Sequence, residues 1–263
     1  MPSQRIFFNN ERSIKLAGIV DSPSEPPVAY ALFAHCFTCT KDLKAIVKIS
    51  RLLAAKGIAV LRFDFTGLGA SQGVFADSNF NTNLEDVRAA YKFLTAEYQS
   101  PSLLIGHSLG GAAMMAIANE FESVNALATL ASPSCTAHLA DTLLRLNPQI
   151  EQEGEGEVVI GNRTHLVRKQ MLEVLRSTDL ESKIKSISVP HLILHSPVDQ
   201  TLNYEHAEKL LRMTSDSSGP KSLITLDGSD HLFVNQASDV NYVSDIIFTW
   251  ALRYLNAADQ VTE

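Results

Sequence analysis

Ile105-Gly106-His107-Ser108-Leu109-Gly110-Gly111 decides the reading of this chain. It joins a short apolar run, Ser102 to Ile105, to a stretch rich in Ala and Met that reads as a helix from Leu109 to Asn119. Small residues flanking a serine permit a tight strand-to-helix bend that pushes its Oγ out of a sheet. The helix that begins there offers backbone N–H groups and a positive dipole end to developing negative charge. With 13 glycines and 25 serines in 263 residues, a chance Gly-x-Ser-x-Gly is rare, and a strand before it and a helix after it make chance rarer still. Ser108 is the candidate nucleophile.

A serine hydroxyl is a weak nucleophile without a base, and the base needs an orienting carboxylate. His231 lies far downstream in Asp227-Gly228-Ser229-Asp230-His231-Leu232-Phe233, after an apolar run and in a turn-rich loop, and is the candidate base. Asp199, in His195-Ser196-Pro197-Val198-Asp199-Gln200, follows an apolar run by a few residues and so emerges at the carboxyl edge of a sheet, where such sites sit. Asp227 and Asp230 are too close to His231 to come from the preceding strand. An oxyanion needs two backbone donors, the second from the loop after an earlier strand. The run Val28 to Ala34 leads into His35-Cys36-Phe37, so the N–H groups of Phe37 and Leu109 are the expected donors, on position alone.

Further out, apolar runs alternate with amphipathic stretches, which predicts α/β layering with a mostly parallel sheet. Strands are expected at Arg5 to Phe8, Ile14 to Val20, Val28 to Ala34, Ile58 to Phe63, Ser102 to Ile105, Val124 to Leu130, Val189 to His195 and Lys221 to Leu226. Helices are expected at about Leu43 to Lys56 with Gly57 as its stop, Asn81 to Tyr98, Tyr204 to Met213 and Ser238 to Leu255. The rhythm breaks over about 132–188, with a helix at Ala137–Leu146, an acidic Gly-rich stretch at Glu151–Glu157 and a hairpin turning at Gly161-Asn162. This is read as a cap or lid inserted over one end of the sheet within a single domain, 1–263.

Composition excludes several classes. The chain is 45% apolar and 19% charged, ordinary for a folded enzyme. Acidic residues outnumber basic ones, 29 to 22, so no basic field is available to hold nucleic acid. No apolar run approaches the roughly 20 residues of a membrane span, and the polar N-terminus lacks a secretory layout. Three cysteines make a disulfide framework improbable, and a soluble protein of the reducing cytoplasm is expected. Cys36 and Cys39 are read as small apolar loop residues in preference to a redox pair, and with His35 they give no complete metal-ligand set. Arg62, Asp64, Gly67 and Gly69 are read as turn-building residues, since the Lys-Ser/Thr pair of a phosphate loop is absent.

The Gly-His-Ser-Leu-Gly turn, Asp199 and His231, in that order, resemble the α/β-hydrolase superfamily over almost the whole chain. More narrowly, AHCFTCTKDL, LRFDFTGLGASQG, IGHSLGGAA, HSPVDQT and LDGSDHLF are similar to the hydrolase half of bacterial bifunctional α/β-hydrolase/OsmC proteins. Cys36 stands where many superfamily members have Gly. The resemblance implies a serine hydrolase of the carboxylesterase type acting on a small-molecule ester through an acyl-enzyme, with no metal or organic cofactor. Thioester and amide cleavage share that machinery. A dehalogenase or epoxide hydrolase is disfavoured, since those carry Asp at the position of Ser108. The resemblance also implies an OsmC-like domain in cis or in trans, and leaves room for a homo-oligomer. The competing reading is a redox-associated interaction domain that uses Cys36 and Cys39 toward such a partner.

Overall fold

In the computed structural model, which describes residues 2–213, 215, 218–233 and 237–255, the chain opens with the hairpin β1 (Ser3–Asn9) and β2 (Lys15–Asp21). There follow β3 (Ala29–Ala34), α1 (Lys44–Ala55), β4 (Ile58–Phe63), α2 (Phe80–Glu97), β5 (Leu103–His107), α3 (Leu109–Ile117) and β6 (Ala126–Leu130). The sheet has eight strands among the described residues, completed by β9 and β10 below. Its order is β1-β2-β4-β3-β5-β6-β9-β10, and every pairing from β4 to β10 is parallel. β2 runs antiparallel to both its neighbours.

The central strands are apolar throughout because both faces are covered. In β3, Ala31 and Phe33 point into one core and Leu32 and Ala34 into the other. Residues of α1 (Ile46, Ile49, Leu53) fill the first core. Phe80, Val87 and Leu94 of α2, with Met114 and Ile117 of α3, fill the second. A capping box between Asn79 and Thr82 fixes the start of α2 at Phe80. Gly57, at φ +103°, turns the chain from α1 into β4.

Between β6 and β9 the chain leaves the sheet. This segment holds α4 (Ala137–Leu146), α5 (Gln149–Gln152), the hairpin β7 (Glu155–Ile160) and β8 (Arg163–Arg168), α6 (Lys169–Ser177) and α7 (Leu180–Lys185). Ile160 pairs with Arg163, which puts Gly161-Asn162 at the turn as expected. The acidic stretch is partly strand: in β7, Gly156 and Val158 are buried while Glu155 and Glu157 face out, the two-residue period of a half-buried strand. The helices α6 and α7 were not anticipated. They bury Met171, Leu172 and Leu175, and Leu180 and Ile184, respectively. The sheet then resumes with β9 (His191–His195), α8 (Glu205–Arg212), β10 (Lys221–Thr225) and α9 (Ala237–Leu255), whose Val243 and Ile247 pack against α1 in the first core.

One expectation is overturned. Cys36 and Cys39 are joined by a disulfide, with Cα atoms 5.2 Å apart. The cysteine count argues only against a framework linking distant segments. A turn of four residues after β3 brings these two side chains together without one. Among the described residues no helix is long and apolar enough to cross a membrane.

Candidate active site

Each residue singled out from the sequence emerges at the carboxyl end of a parallel strand. Ser108 follows β5, Asp199 follows β9, His231 follows β10, and Cys36-Phe37 follows β3. Adjacent parallel strands end together, so loops far apart in sequence converge there.

Ser108 sits at φ 53°, ψ −121°, a conformation that costs a non-glycine residue about 1–3 kcal/mol. Its surroundings enforce it. Ser108 N–H donates to Leu130 O at 2.9 Å, and its carbonyl accepts from Gly111 N–H at 2.9 Å. A Cβ on Gly106 would lie 2.4 Å from Gly111 Cα, and one on Gly110 2.4 Å from the carbonyl oxygens of Ala34 and His35. The glycines of the motif are therefore dictated by how closely α3 sits on β5 and β3.

The three side chains meet. His231 Nδ1–H donates to Asp199 Oδ2 at 2.7 Å, and because a carboxylate only accepts, this bond sets the tautomer. Nε2 is left as an acceptor, and Ser108 Oγ lies 3.1 Å from it. Oδ1 of Asp199 is held by the N–H groups of Thr201 and Leu202 at 2.8 and 3.0 Å. Burial by itself would raise the Asp199 carboxyl. Contact with His195, the bond from His231 and its charge, and the Leu202 N–H outweigh burial and hold the group well below the usual carboxylate range. The site thus has an ionised acid, an imidazole and a hydroxyl in a hydrogen-bonded row.

Two histidines missed in the sequence complete the support. His195, at the end of β9, donates from Nε2 to Leu202 O at 2.9 Å and lies 3.5 Å from Asp199 Oδ2. His107 donates from Nε2 to the backbone carbonyl of His231 at 2.8 Å, tying the serine turn to the histidine loop. Burial, reinforced by the nearby His231, pushes His107 down to about 3, so this tie is made by a neutral ring. The spacing of His195 four residues before Asp199 was the available signal. Nothing in the sequence marks the bond from His107.

The loop after β3 is anchored on both sides of the disulfide. His35, fully buried, accepts Phe65 N–H on Nε2 at 3.2 Å and donates from Nδ1 to Cys36 O at 2.8 Å. Lys41 N–H and Nζ both reach Asp64, at 2.7 and 2.8 Å. Arg62 in turn holds Lys41 O at 2.9 Å and Asp21 at 2.8 Å, so Arg62 and Asp64 are structural, as read from the sequence. His35, Cys36 and Cys39 offer no metal site: both sulfurs are bonded to each other and both ring nitrogens are engaged. Neither Phe37 N–H nor Leu109 N–H has a protein acceptor among the described residues.

Ser108 and His231 open into a cavity of about 670 Å³. Its lining is mostly apolar, with Leu139, Leu143 and Leu146 of α4, Val159 and Ile160 at the hairpin tip, Phe37 and the Cys36–Cys39 turn, while His138, Thr142, Asn162 and Arg163 add polar groups from the same elements. The arrangement can activate a hydroxyl toward an electrophilic carbon and seat an apolar group beside it.

Comparisons with known proteins find several hydrolases similar to this chain. A model for a family described as serine aminopeptidase, S33, matches residues 40–151. The esterase domain of a Rhodothermus marinus protein is 44% identical, with a TM-score of 0.78, covering 97% of this chain and 100% of that one. Monoglyceride lipase of Mus musculus is 25% identical over 240 residues, 80% of this chain and 78% of the lipase. The mitochondrial palmitoyl-protein thioesterase of Rattus norvegicus is 30% identical over 192 residues, 68% of this chain and 60% of that protein.

Proposed function

The chain belongs to the α/β-hydrolase superfamily of serine hydrolases, and from that premise we propose that it is a carboxylic ester hydrolase of the carboxylesterase type. The observation that carries the reading is the row Asp199–His231–Ser108, bonded at 2.7 and 3.1 Å, at the floor of a mostly apolar cavity. Ser108 Oγ attacks the acyl carbonyl as His231 Nε2 takes its proton, and Asp199 holds the imidazole and stabilises its charge. The N–H groups of Phe37 and Leu109, which have no protein acceptor among the described residues, receive the oxyanion, each worth about 3–4 kcal/mol of barrier in comparable sites. The protonated His231 passes its proton to the leaving alcohol. Water, activated by the same imidazole, then releases the acyl group from Ser108.

In this reading residues 1–263 act as one hydrolase domain, and the segment 132–188 caps the carboxyl edge of the sheet and supplies the acyl-side wall. The apolar lining supports an acyl chain as the group seated there, in keeping with relatives described as an esterase, a monoglyceride lipase and a palmitoyl-protein thioesterase. The thioesterase relative makes cleavage of an acyl thioester by the same residues the second reading. The likeness to the OsmC fusions rests on the sequence motifs alone.

The test is hydrolysis of p-nitrophenyl esters from acetate to palmitate, beside Ser108→Ala and a fluorophosphonate label. Turnover in the wild type, a loss of at least about 10⁴-fold in Ser108→Ala and labelling confined to Ser108 are expected. A folded wild type that cleaves no ester but turns over acyl thioesters would select the second reading. No turnover of either and no label would overturn both.

A further inference from the structure

The Cys36–Cys39 disulfide lies inside the substrate cavity, on the loop that carries the Phe37 N–H, and the mechanism above gives it no role. The chain is pinned before it by His35 and after it by the two bonds from Lys41 to Asp64. Between those anchors the turn is held by the disulfide, by the packing of the Phe37 ring against Phe75 with centroids 5.6 Å apart, and by two hydrogen bonds. One backbone bond closes it, Cys39 N–H to Cys36 O at 3.2 Å, and Thr38 Oγ donates to Phe37 O at 2.7 Å. Thr38 lies at φ +58°, an unfavourable region for a β-branched residue. Such a conformation persists only where its surroundings over-determine it, and here the cross-link from Cys36 to Cys39 supplies that constraint.

We propose that Cys36–Cys39 is a thiol–disulfide exchange site for a small dithiol reductant, and that its redox state sets the position of the Phe37 N–H. This rests on the esterase reading, in which that N–H receives the oxyanion. The cavity that admits substrate admits the reductant. Cys36 is only 4% exposed and Cys39 is half-buried, which makes Cys39 the sulfur attacked. A reductant thiolate bonds to Cys39 Sγ, the S–S bond breaks, and its electron pair leaves on Cys36 Sγ, which takes a proton. The reductant's second thiol, as thiolate, then bonds to its first sulfur and displaces Cys39 as a thiolate, which is protonated. Two electrons and two protons pass from the dithiol to the cysteine pair, and the reductant leaves as a cyclic disulfide. With the cross-link gone, Thr38 relaxes toward negative φ and carries the peptide of Phe37 out of line. Substrate binding, built on the apolar lining, is left largely intact.

The experiment equilibrates the 263-residue chain in reduced and oxidised dithiothreitol buffers. In each it measures thiol content by alkylation and mass spectrometry, kcat and KM on p-nitrophenyl butyrate, and fluorophosphonate labelling. On reduction kcat should fall about tenfold or more, bounded by the roughly 10²- to 10³-fold that loss of a whole donor costs. KM should stay within about twofold. The activity and thiol curves should share one midpoint. Cys39→Ser should stay at the reduced level in every buffer, and Cys135→Ser, which removes the free exposed cysteine, should respond as the wild type does. Full reduction with unchanged kcat would overturn the proposal and leave the esterase reading standing, as would a pair that never closes or never opens while the protein stays folded. An oxidised protein without turnover or label would remove the esterase reading and this proposal with it.

Discussion

Asp199 illustrates how much depends on which atom meets which. Its Oδ1 already accepts two backbone N–H groups, so an amide at this position must keep its oxygen there and turn its NH₂ toward His231. The imidazole then has to accept on Nδ1 and carry its proton on Nε2, where it can no longer take one from Ser108. On the esterase reading, Asp199→Asn should therefore lower kcat on p-nitrophenyl butyrate by about 10⁴-fold. Its thermal midpoint should move little, since the side-chain volume and the two N–H bonds are retained. Ser108, Asp199 and His231 were each legible as polar residues just past apolar runs. His107 was not, because its partner is a backbone carbonyl that any residue could supply, and His195 was marked only by its spacing from Asp199, whose carboxylate it approaches.

At the scale of elements, the contrast between two glycines separates packing from backbone strain. Gly106 has no room for a Cβ because α3 crosses β5 directly above it, so Gly106→Ala should cost about 3 kcal/mol through overpacking. Gly161, at φ +61° in the hairpin turn, has no atom within 4 Å of a Cβ, and Gly161→Ala should cost only the backbone strain of about 1 kcal/mol. Urea unfolding of the two variants measures both. α4 has a different part, lining with Leu139, Leu143 and Leu146 the cavity that holds Ser108. On the esterase reading, Leu139→Trp should shift the preferred p-nitrophenyl ester toward shorter acyl chains, with acetate turnover kept within about threefold. The helices α6 and α7 escaped notice because they are short, nine and six residues, and their apolar residues acquire meaning only once α2, α3 and α4 are there to meet them.

Over the whole molecule, the buried histidines govern the response to acid. Burial above all keeps His35 near 4 and His107 and His191 near 3, against about 6.5 when exposed. A lowered pKa in the folded state means that the unfolded chain takes up the proton first. Their contribution is therefore complete above pH 6.5 and is lost as pH falls toward the folded values. Each costs about 1.4 kcal/mol per pH unit inside that window. His191 lies in β9, away from Ser108, with its Nε2 2.8 Å from Thr129 Oγ. His191→Asn should lessen the acid dependence of the unfolding free energy by about one proton between pH 6 and 4, measured by urea titration at each pH. A slope equal to that of the wild type would refute the assignment.

The sequence by itself determined the layering, the serine turn and the order of the candidate residues, because each is a local matter. Apolar runs flanked by helical periodicity need both faces covered, and small residues around a serine are what a tight bend requires. That His195 and His107 brace the row and that the hairpin tip walls the cavity emerged from the tertiary structure alone. Both depend on where the ends of β5, β9 and β10 converge and on where the inserted segment comes to rest. Distances of that kind are set by the packing of the whole sheet, and no short stretch of sequence encodes them; the Cys36–Cys39 bond is a local matter of a four-residue turn, which a count of cysteines does not describe.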